Sequence, residues 1–347
     1  MNGLLIGTGE GITSRSVYFT RGYGEAAAIT DGGRWTILST ADGSWQLPLV
    51  LVPAPYGDGF EARSPYGYAG IHIDPAIGTG EAQRLWRESI EVLRGLDVVT
   101  VFLRFSPLDV GSALRARDLE GLTVRHVSDT VLVSTADADS VWNALRGRAR
   151  TAIRKARAAG MTAELRPATA DDLSSGSAFR RLYEGTMARV GAADRYYFAD
   201  DYYRALLDGL GEDLLVCTVR DAAHGPVAAS LVMVDGDGLH YHLSGSTPEG
   251  ARAGANNLLI WQILSDASAR GLRHVHLGGG VSNADSLFRF KESFGGAIVP
   301  FHIGSAVIDP VEYDRLVSRR AAERAVPVSA LVDSGYFPGF RATEAAG

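Results

Sequence analysis

Three strand-like runs in close succession, Leu214–Arg220, Val227–Val234 and Gly238–Ser244, constrain this chain more than any other feature. The turns between them, Ala-His224-Gly225-Pro226 and Asp235-Gly-Asp-Gly238, have the glycine and proline chemistry of tight reversals, so the runs can lie side by side in one sheet. Before them come an extended stretch, Thr162–Arg166, and amphipathic helices around Ala178–Val190 and Asp200–Leu210. After them come a helix, Asn257–Arg270, a short strand, His274–Leu277, a helix near Ser286–Ser293 and a last strand, Val299–Ile308. The order β-α-α-β-β-β-α-β-α-β predicts an α/β (α+β) fold, a mixed and mostly antiparallel sheet flanked by helices.

At 347 residues the chain is long for one domain, and two are expected. The first half reads as a worn copy of the second: strand-like runs at Arg34–Thr40 and Trp45–Val52, a helix at Glu81–Leu96, a strand at Val98–Phe105 and a strand-rich run at Thr123–Val133. No sequence repeat is obvious, so duplication is inferred from element order alone. The domains are placed at 1–137 and 161–347, joined within 138–160 by a basic helix of about Asp139–Ala159. Hydrophobic residues make up 46% and charged residues 21%, which is the composition of a soluble globular protein. No run approaches a membrane span, and Met1–Thr13 lacks the basic flank of a leader, so a cytoplasmic location is expected. A net charge of −6 argues against a DNA-coating protein and leaves room for one basic patch. The single cysteine, Cys217, allows no intrachain disulfide and no thiolate metal cluster; its apolar surroundings predict a buried, inert thiol.

Several segments carry possible chemistry. They are Ser64-Pro-Tyr-Gly-Tyr68, Arg150-Thr-Ala-Ile-Arg154-Lys155-Ala-Arg157, Tyr183–Tyr197, and the stretch Tyr241–Gly296. The last includes Gly254-Ala-Asn256-Asn257-Leu-Leu-Ile-Trp261, Leu277-Gly-Gly-Gly280 and Phe288-Arg-Phe-Lys291-Glu-Ser-Phe-Gly295. In order and spacing they resemble the Fem family (FemABX-like) of aminoacyltransferases within the GNAT superfamily. The resemblance implies tandem GNAT-like domains forming a groove, with aminoacyl-tRNA as co-substrate and no other cofactor. The acceptor would be a free amine of a peptidoglycan precursor or of a small peptide or antibiotic. The product would be an amide, and the protein a monomer or weak dimer. No charged, heptad-rich segment matches the helical arm of several cell-wall members, so the resemblance is to armless ones.

Transfer from an ester needs alignment, an unprotonated amine and stabilisation of an oxyanion. The only lysines are Lys155 and Lys291 among many arginines. Lys291, with Phe290 before it, falls at the family's Phe-Lys-x-x-Phe-Gly position. The resemblance therefore makes Lys291 the candidate for stabilising the oxyanion or the terminal ribose and phosphate; the ordinary alternative is an exposed helical lysine. Gly278, Gly279 and Gly280 follow a strand, where missing side chains allow close approach of substrate or of the next helix. Asn256 lies in the turn that leads into the following helix. Arg189, Arg195, Tyr196 and Tyr197 form a basic and aromatic cluster able to clamp an anionic group of the acceptor, or else an ordinary core. Tyr66 and Tyr68 would supply an aromatic wall, or simply a structural turn.

On a continuous helix Arg146, Arg150, Arg154 and Arg157 share one stripe beside an apolar one, which suits tRNA phosphates or a solvated face. His240 with His242, and His274 with His276, alternate on predicted strands; with no third ligand at a metal-site spacing, local hydrogen bonding is the preferred reading. Two other functions stay open, acyl-CoA-dependent N-acylation and non-catalytic binding. A coenzyme A loop of the type Gln/Arg-x-x-Gly-x-Gly/Ala is not matched at Glu249–Asn257, which disfavours the former.

Overall fold

The computed structural model describes residues 3–9, 14–57, 59–280 and 285–342. It divides into two compact units, 1–127 with 301–347, and 128–300.

The first part of the chain forms β1 (Leu4–Gly7), α1 (Arg21–Asp31), β2 (Arg34–Thr40), β3 (Trp45–Pro53), β4 (Phe60–Arg63), β5 (His72–Ile73), α2 (Thr79–Arg94), β6 (Val98–Arg104), α3 (Val110–Ala116) and β7 (Thr123–Ser134). There follow α4 (Ala138–Ala144), α5 (Gly147–Ala158), β8 (Thr162–Pro167), α6 (Ala170–Leu173), α7 (Ala178–Arg189), α8 (Asp200–Leu210), β9 (Leu214–Asp221), β10 (Gly225–Asp235) and β11 (Gly238–Ser246). The remainder is α9 (Pro248–Ala253), α10 (Ala255–Ala269), β12 (His274–Gly278), α11 (Ser286–Glu292), β13 (Ala297–Val307), α12 (Pro310–Arg324) and α13 (Val328–Val332).

In the first unit the strand order is β1-β2-β3-β4-β6-β13, with β5 also on β3. Its one parallel pair among the described residues is β4 with β6. In the second unit the order is β7-β12-β11-β10-β9-β8, and the one parallel pair is β11 with β12. Each unit is thus a mixed, mostly antiparallel sheet with helices, in line with the element order of the sequence.

The domain limits differ from the sequence-based ones. The chain passes from the first unit to the second inside β7, whose Val131–Ser134 pair with β12. It returns inside β13, whose Ile303–Val307 pair with β6. Residues after 300, assigned from sequence to the second domain, therefore complete the first sheet. Patterning in single segments does not encode which sheet an end strand joins.

Local chemistry accounts for the main elements. α2 buries Ala82, Leu85, Trp86, Ser89 and Leu93, the three- and four-residue spacing of a one-faced helix. β3 is buried from Trp45 to Val52, as befits a strand covered on both faces. In α10 the run Leu258–Trp261 is buried all round, making it the central helix of the second core with Ile153 of α5 and Phe294. The single helix expected over 139–159 is two. Leu145 turns extended at the end of α4, and the Arg146 amide donates to the Ser293 carbonyl (2.9 Å), so the chain restarts as α5 at Gly147.

Candidate active site

The site is built where β11 and β12 part. Their parallel register runs from Gly238 opposite His274 to His240 opposite His276 and then stops, while β11 continues along β10 to Ser246. β12 ends at Gly278, whose φ of +72° lies in the left-handed region that glycine adopts at no steric cost. Beyond it the backbone runs close to its neighbours. A Cβ on Gly279 would lie 2.8 Å from the Asp129 carbonyl, and one on Gly280 would lie 2.3 Å from Asp285 Oδ1. Asp285 caps α11, its Oδ1 accepting from the Phe288 amide (2.7 Å). The glycine at 280 is therefore what lets the capping carboxylate take its place.

Lys291 comes from α11 and is 8% exposed. Its Nζ donates to the Gly279 carbonyl (2.7 Å) and stands 5.7 Å from the centroid of the Tyr241 ring on β11. Burial pushes this ammonium down to about 8, and the Asp285 carboxylate only partly opposes it. A carbonyl, an aromatic face and a carboxylate all favour the cation, yet desolvation outweighs them. Burial likewise pushes the Tyr241 phenol up to about 12, against a hydrogen bond with Ser244. At neutral pH the group is a poorly solvated positive charge held in one direction, the property that stabilises a developing oxyanion.

Behind the lysine lies a buried polar row. His240 Nε2 donates to Asp235 Oδ2 (2.8 Å), the Nδ1 atoms of His240 and His276 are 3.2 Å apart, and His276 Nε2 is 2.9 Å from Thr130 Oγ1 of β7. Burial first, then the charges of His240 and Lys291, hold His276 well below the ordinary histidine range. His242 is pushed down to about 3 by burial and meets the Tyr202 hydroxyl at 2.8 Å. His240, His242 and His276 thus have local hydrogen-bonding partners, the reading preferred from sequence for want of a third ligand. Cys217 is fully buried, and burial drives its thiol far above the ordinary range.

The other residues named from sequence are distributed unevenly. Phe290 is half-buried against the core, edge-on to Phe294 at 5.4 Å. Asn256 is half-buried in the first turn of α10. Just before it, Gly254 has φ +94°, and a Cβ there would lie 2.5 Å from the Ala152 carbonyl of α5. The backbone of this turn is thus packed against α5. Arg189 ends α7 and donates to the Ser246 carbonyl (3.0 Å), fastening the far end of β11. Arg195 stands 5.1 Å from the Tyr196 ring, whose residue accepts a hydrogen bond at its carbonyl from the Tyr183 hydroxyl (2.8 Å). Tyr197 is exposed rather than core.

On α5 the arginines do not form one free stripe. Arg146 is the residue before the helix and pairs with Glu292 (2.5 Å), and Arg150 donates to the Asn143 carbonyl (3.0 Å). Arg154 and Arg157 are exposed and lie over the rings of Trp142 (5.4 Å) and Trp261 (6.0 Å). Tyr66 and Tyr68 belong to the first unit, where Tyr68 meets Tyr18 and Phe301 edge-on. A groove of about 1060 Å³ in that unit, lined by Tyr56, Arg94, Asp97, Glu312, Arg315 and Arg319 among others, contains none of the named residues. Sequence reading missed Tyr241 and Asp285 as neighbours of Lys291. The parallel register that brings β11 beside β12 has no signature within either segment.

The second unit carries a domain of the GNAT class: residues 143–292 match the family model described as an acetyltransferase (GNAT) domain. The chain shares its fold with FemX over 86% of its own length and 94% of that one, at 14% identity and a TM-score of 0.70. It is also similar to L-PGS from Bacillus licheniformis (11% identity, TM-score 0.53, 81% and 90% covered). A tandem GNAT protein from the clavulanic acid biosynthesis pathway is similar at 13% identity and a TM-score of 0.50, with 80% and 83% covered. At such identities what is shared is the fold. No curated protein matches the sequence. Among the described residues no helix is long and apolar enough to cross a membrane.

Proposed function

We propose that this chain is an acyltransferase of the aminoacyl-tRNA-dependent kind, joining an amino acid carried as a tRNA ester to a free amine. The observation that carries the reading is the desolvated Lys291 ammonium, fixed between the Gly279 carbonyl and the Tyr241 ring where the parallel strands part. In the transfer, the acceptor's nitrogen attacks the ester carbon, the carbonyl oxygen becomes an oxyanion, and the ribose oxygen leaves as the amide forms. Lys291 would hold that oxyanion, or the ribose and phosphate of the tRNA end. Arg154 and Arg157, exposed over Trp142 and Trp261, are suited to phosphates, which attract arginine irrespective of base sequence. The fold shared with FemX supports the same reading. Arg189, Arg195, Tyr196 and Asn256 are assigned to substrate binding, and the acceptor is a small peptide or a cell-wall precursor.

Acyl-CoA as donor is the second reading, kept because the GNAT domain is named for acetyl transfer. Against it stands the sequence of the turn: Glu249–Asn257 does not carry the Gln/Arg-x-x-Gly-x-Gly/Ala pattern whose backbone amides hold a pyrophosphate. The test incubates the purified protein with labelled aminoacyl-tRNAs and candidate amines, with and without ribonuclease, beside acyl-CoA reactions. Label transfer abolished by ribonuclease supports the proposal; ribonuclease-insensitive transfer from a thioester replaces it with the second reading.

A further inference from the structure

Arg104, at the end of β6, is half-buried and unlike the other partly buried arginines of its unit. Arg84 is held by Glu81 and Glu88, Arg341 by Glu61, and Arg115 by the Ile77 carbonyl. For the Arg104 guanidinium no acceptor is found among the described residues. What it does meet are rings: its Cζ lies 5.5 Å from the centroid of Tyr66 and 5.8 Å from that of Phe102. Such contacts use the charge of the cation and the face of the ring, and leave the five N–H donors in the guanidinium plane without acceptors.

The neighbouring carboxylates do not fill that role. Glu61 is already bound by Arg341 (2.6 Å) and Arg63 (3.2 Å). Asp31 acts on Arg104 only through space, with no hydrogen bond or ion pair between the two side chains.

The mounting is rigid. Ser64 Oγ accepts from both the Arg104 amide (3.1 Å) and the Gly70 amide (3.3 Å), tying the strand end to the turn that carries Tyr66. The Tyr23 hydroxyl donates to the Tyr66 carbonyl at 2.5 Å. A Cβ on Gly70 would lie 2.7 Å from Phe105 Cα, so the turn lies directly on the strand. The Tyr66 residue itself is 39% exposed. A cation with unused donors, on a firmly held strand end beside a partly exposed aromatic ring, suits a planar or tetrahedral oxyanion attached to an organic body.

We propose that Arg104 and Tyr66 form an oxyanion-binding site of the first unit, the guanidinium edge taking a carboxylate or phosphate and the Tyr66 ring covering the adjoining part of the ligand. This deepens the functional reading, on which it rests for naming the amine acceptor as the bearer of the anion. Binding itself is measured without transfer chemistry, so the two can fail separately.

The test titrates the full chain with N-acetyl-alanyl-alanine, with the same dipeptide as its C-terminal amide, and with inorganic phosphate, following amide NMR shifts. Saturable shifts at Tyr66 and Gly70 are expected with the free-carboxylate peptide but not its amide if the anion is a carboxylate, and with phosphate if it is a phosphate. Arg104→Gln should weaken the bound probe by about tenfold or more, and Arg104→Lys by less, because charge remains but the fork is lost. Should the Gln variant fold poorly, the Lys variant and the map of wild-type shifts carry the test. Absence of saturation by either anion on the wild type, or unchanged affinity in a folded Arg104 variant, would overturn the inference.

Discussion

Replacing Lys291 by methionine should remove activity while relieving the fold of a pH-dependent cost. Burial holds the ammonium at about 8 instead of its ordinary 10.5, a difference equivalent to about 3 kcal/mol. The sign follows from proton counting. Below pH 8 both folded and unfolded chains carry the proton, and the folded state bears the whole penalty. Between about 8 and 10.5 the unfolded chain keeps a proton that the folded one has released, so the wild type gains stability as pH rises. Methionine has similar volume and no charge, so the variant lacks this gain. It also leaves the Gly279 carbonyl without its lysine donor, a cost of about 1–3 kcal/mol that does not change with pH. The wild-type minus variant stability should therefore rise by about 3 kcal/mol from pH 7 to 10.5. Urea unfolding of both proteins at pH 7, 9 and 10.5 reads this difference, and titration of residues common to both cancels in it. A difference constant across that range would refute the depressed lysine. Transfer should fall by about a hundredfold or more in the variant at neutral pH, the scale of losing one oxyanion donor. In the wild type, the lysine-dependent part of the rate should decline as pH rises through about 8, where the cation is lost.

Acidification should weaken the second unit. His276 and His242 are held below 6.5 by burial, so below that pH the unfolded chain takes up protons that the folded one refuses, and stability is lost at roughly 1.4 kcal/mol per pH unit for each. Thermal melts from pH 7 to 5 check this, and a flat profile would count against the buried neutral pair. Gly280→Ala should lower stability by about 1–3 kcal/mol and disturb Lys291, since its Cβ would meet the carboxylate that caps α11. Wild-type melting and activity in that variant would show that the backbone has room to yield. Arg154→Gln and Arg157→Gln should each reduce the slope of log affinity for tRNA against log salt by roughly 0.9 if the guanidinium meets a phosphate. An unchanged slope would return the two residues to an ordinary solvated face.

The order of elements was legible because it rests on local patterning. β2 and α8 run over the residues read from sequence, and β3, β6 and β9 end within a residue of theirs, since their apolar spacing and flanking turns are properties of short segments. The short strands β1, β4 and β5 and the helices α1, α3, α6, α9, α12 and α13 were not anticipated. α1 has Gly22 and Gly24 in its first turns, and β4 spans only Phe60–Arg63, too little for a period to register. The break between α4 and α5 also escaped, because it depends on a hydrogen bond from Arg146 to Ser293, far along the chain.

For the site, sequence alone marked Lys291, the glycines before it and the arginines of α5, through residue type and the spacing of a known family. It could not say that the lysine would be buried, for an ammonium's solvation depends on what packs around it. Tyr241, Asp285 and the Gly279 carbonyl come together only when β11 pairs parallel to β12 and α11 folds back over the strand end. The same holds for Arg104, an unremarkable arginine in its own segment. Local periodicity determines which elements form; the long-range pairing of strands decides which charges lose their water, and on that the chemistry depends.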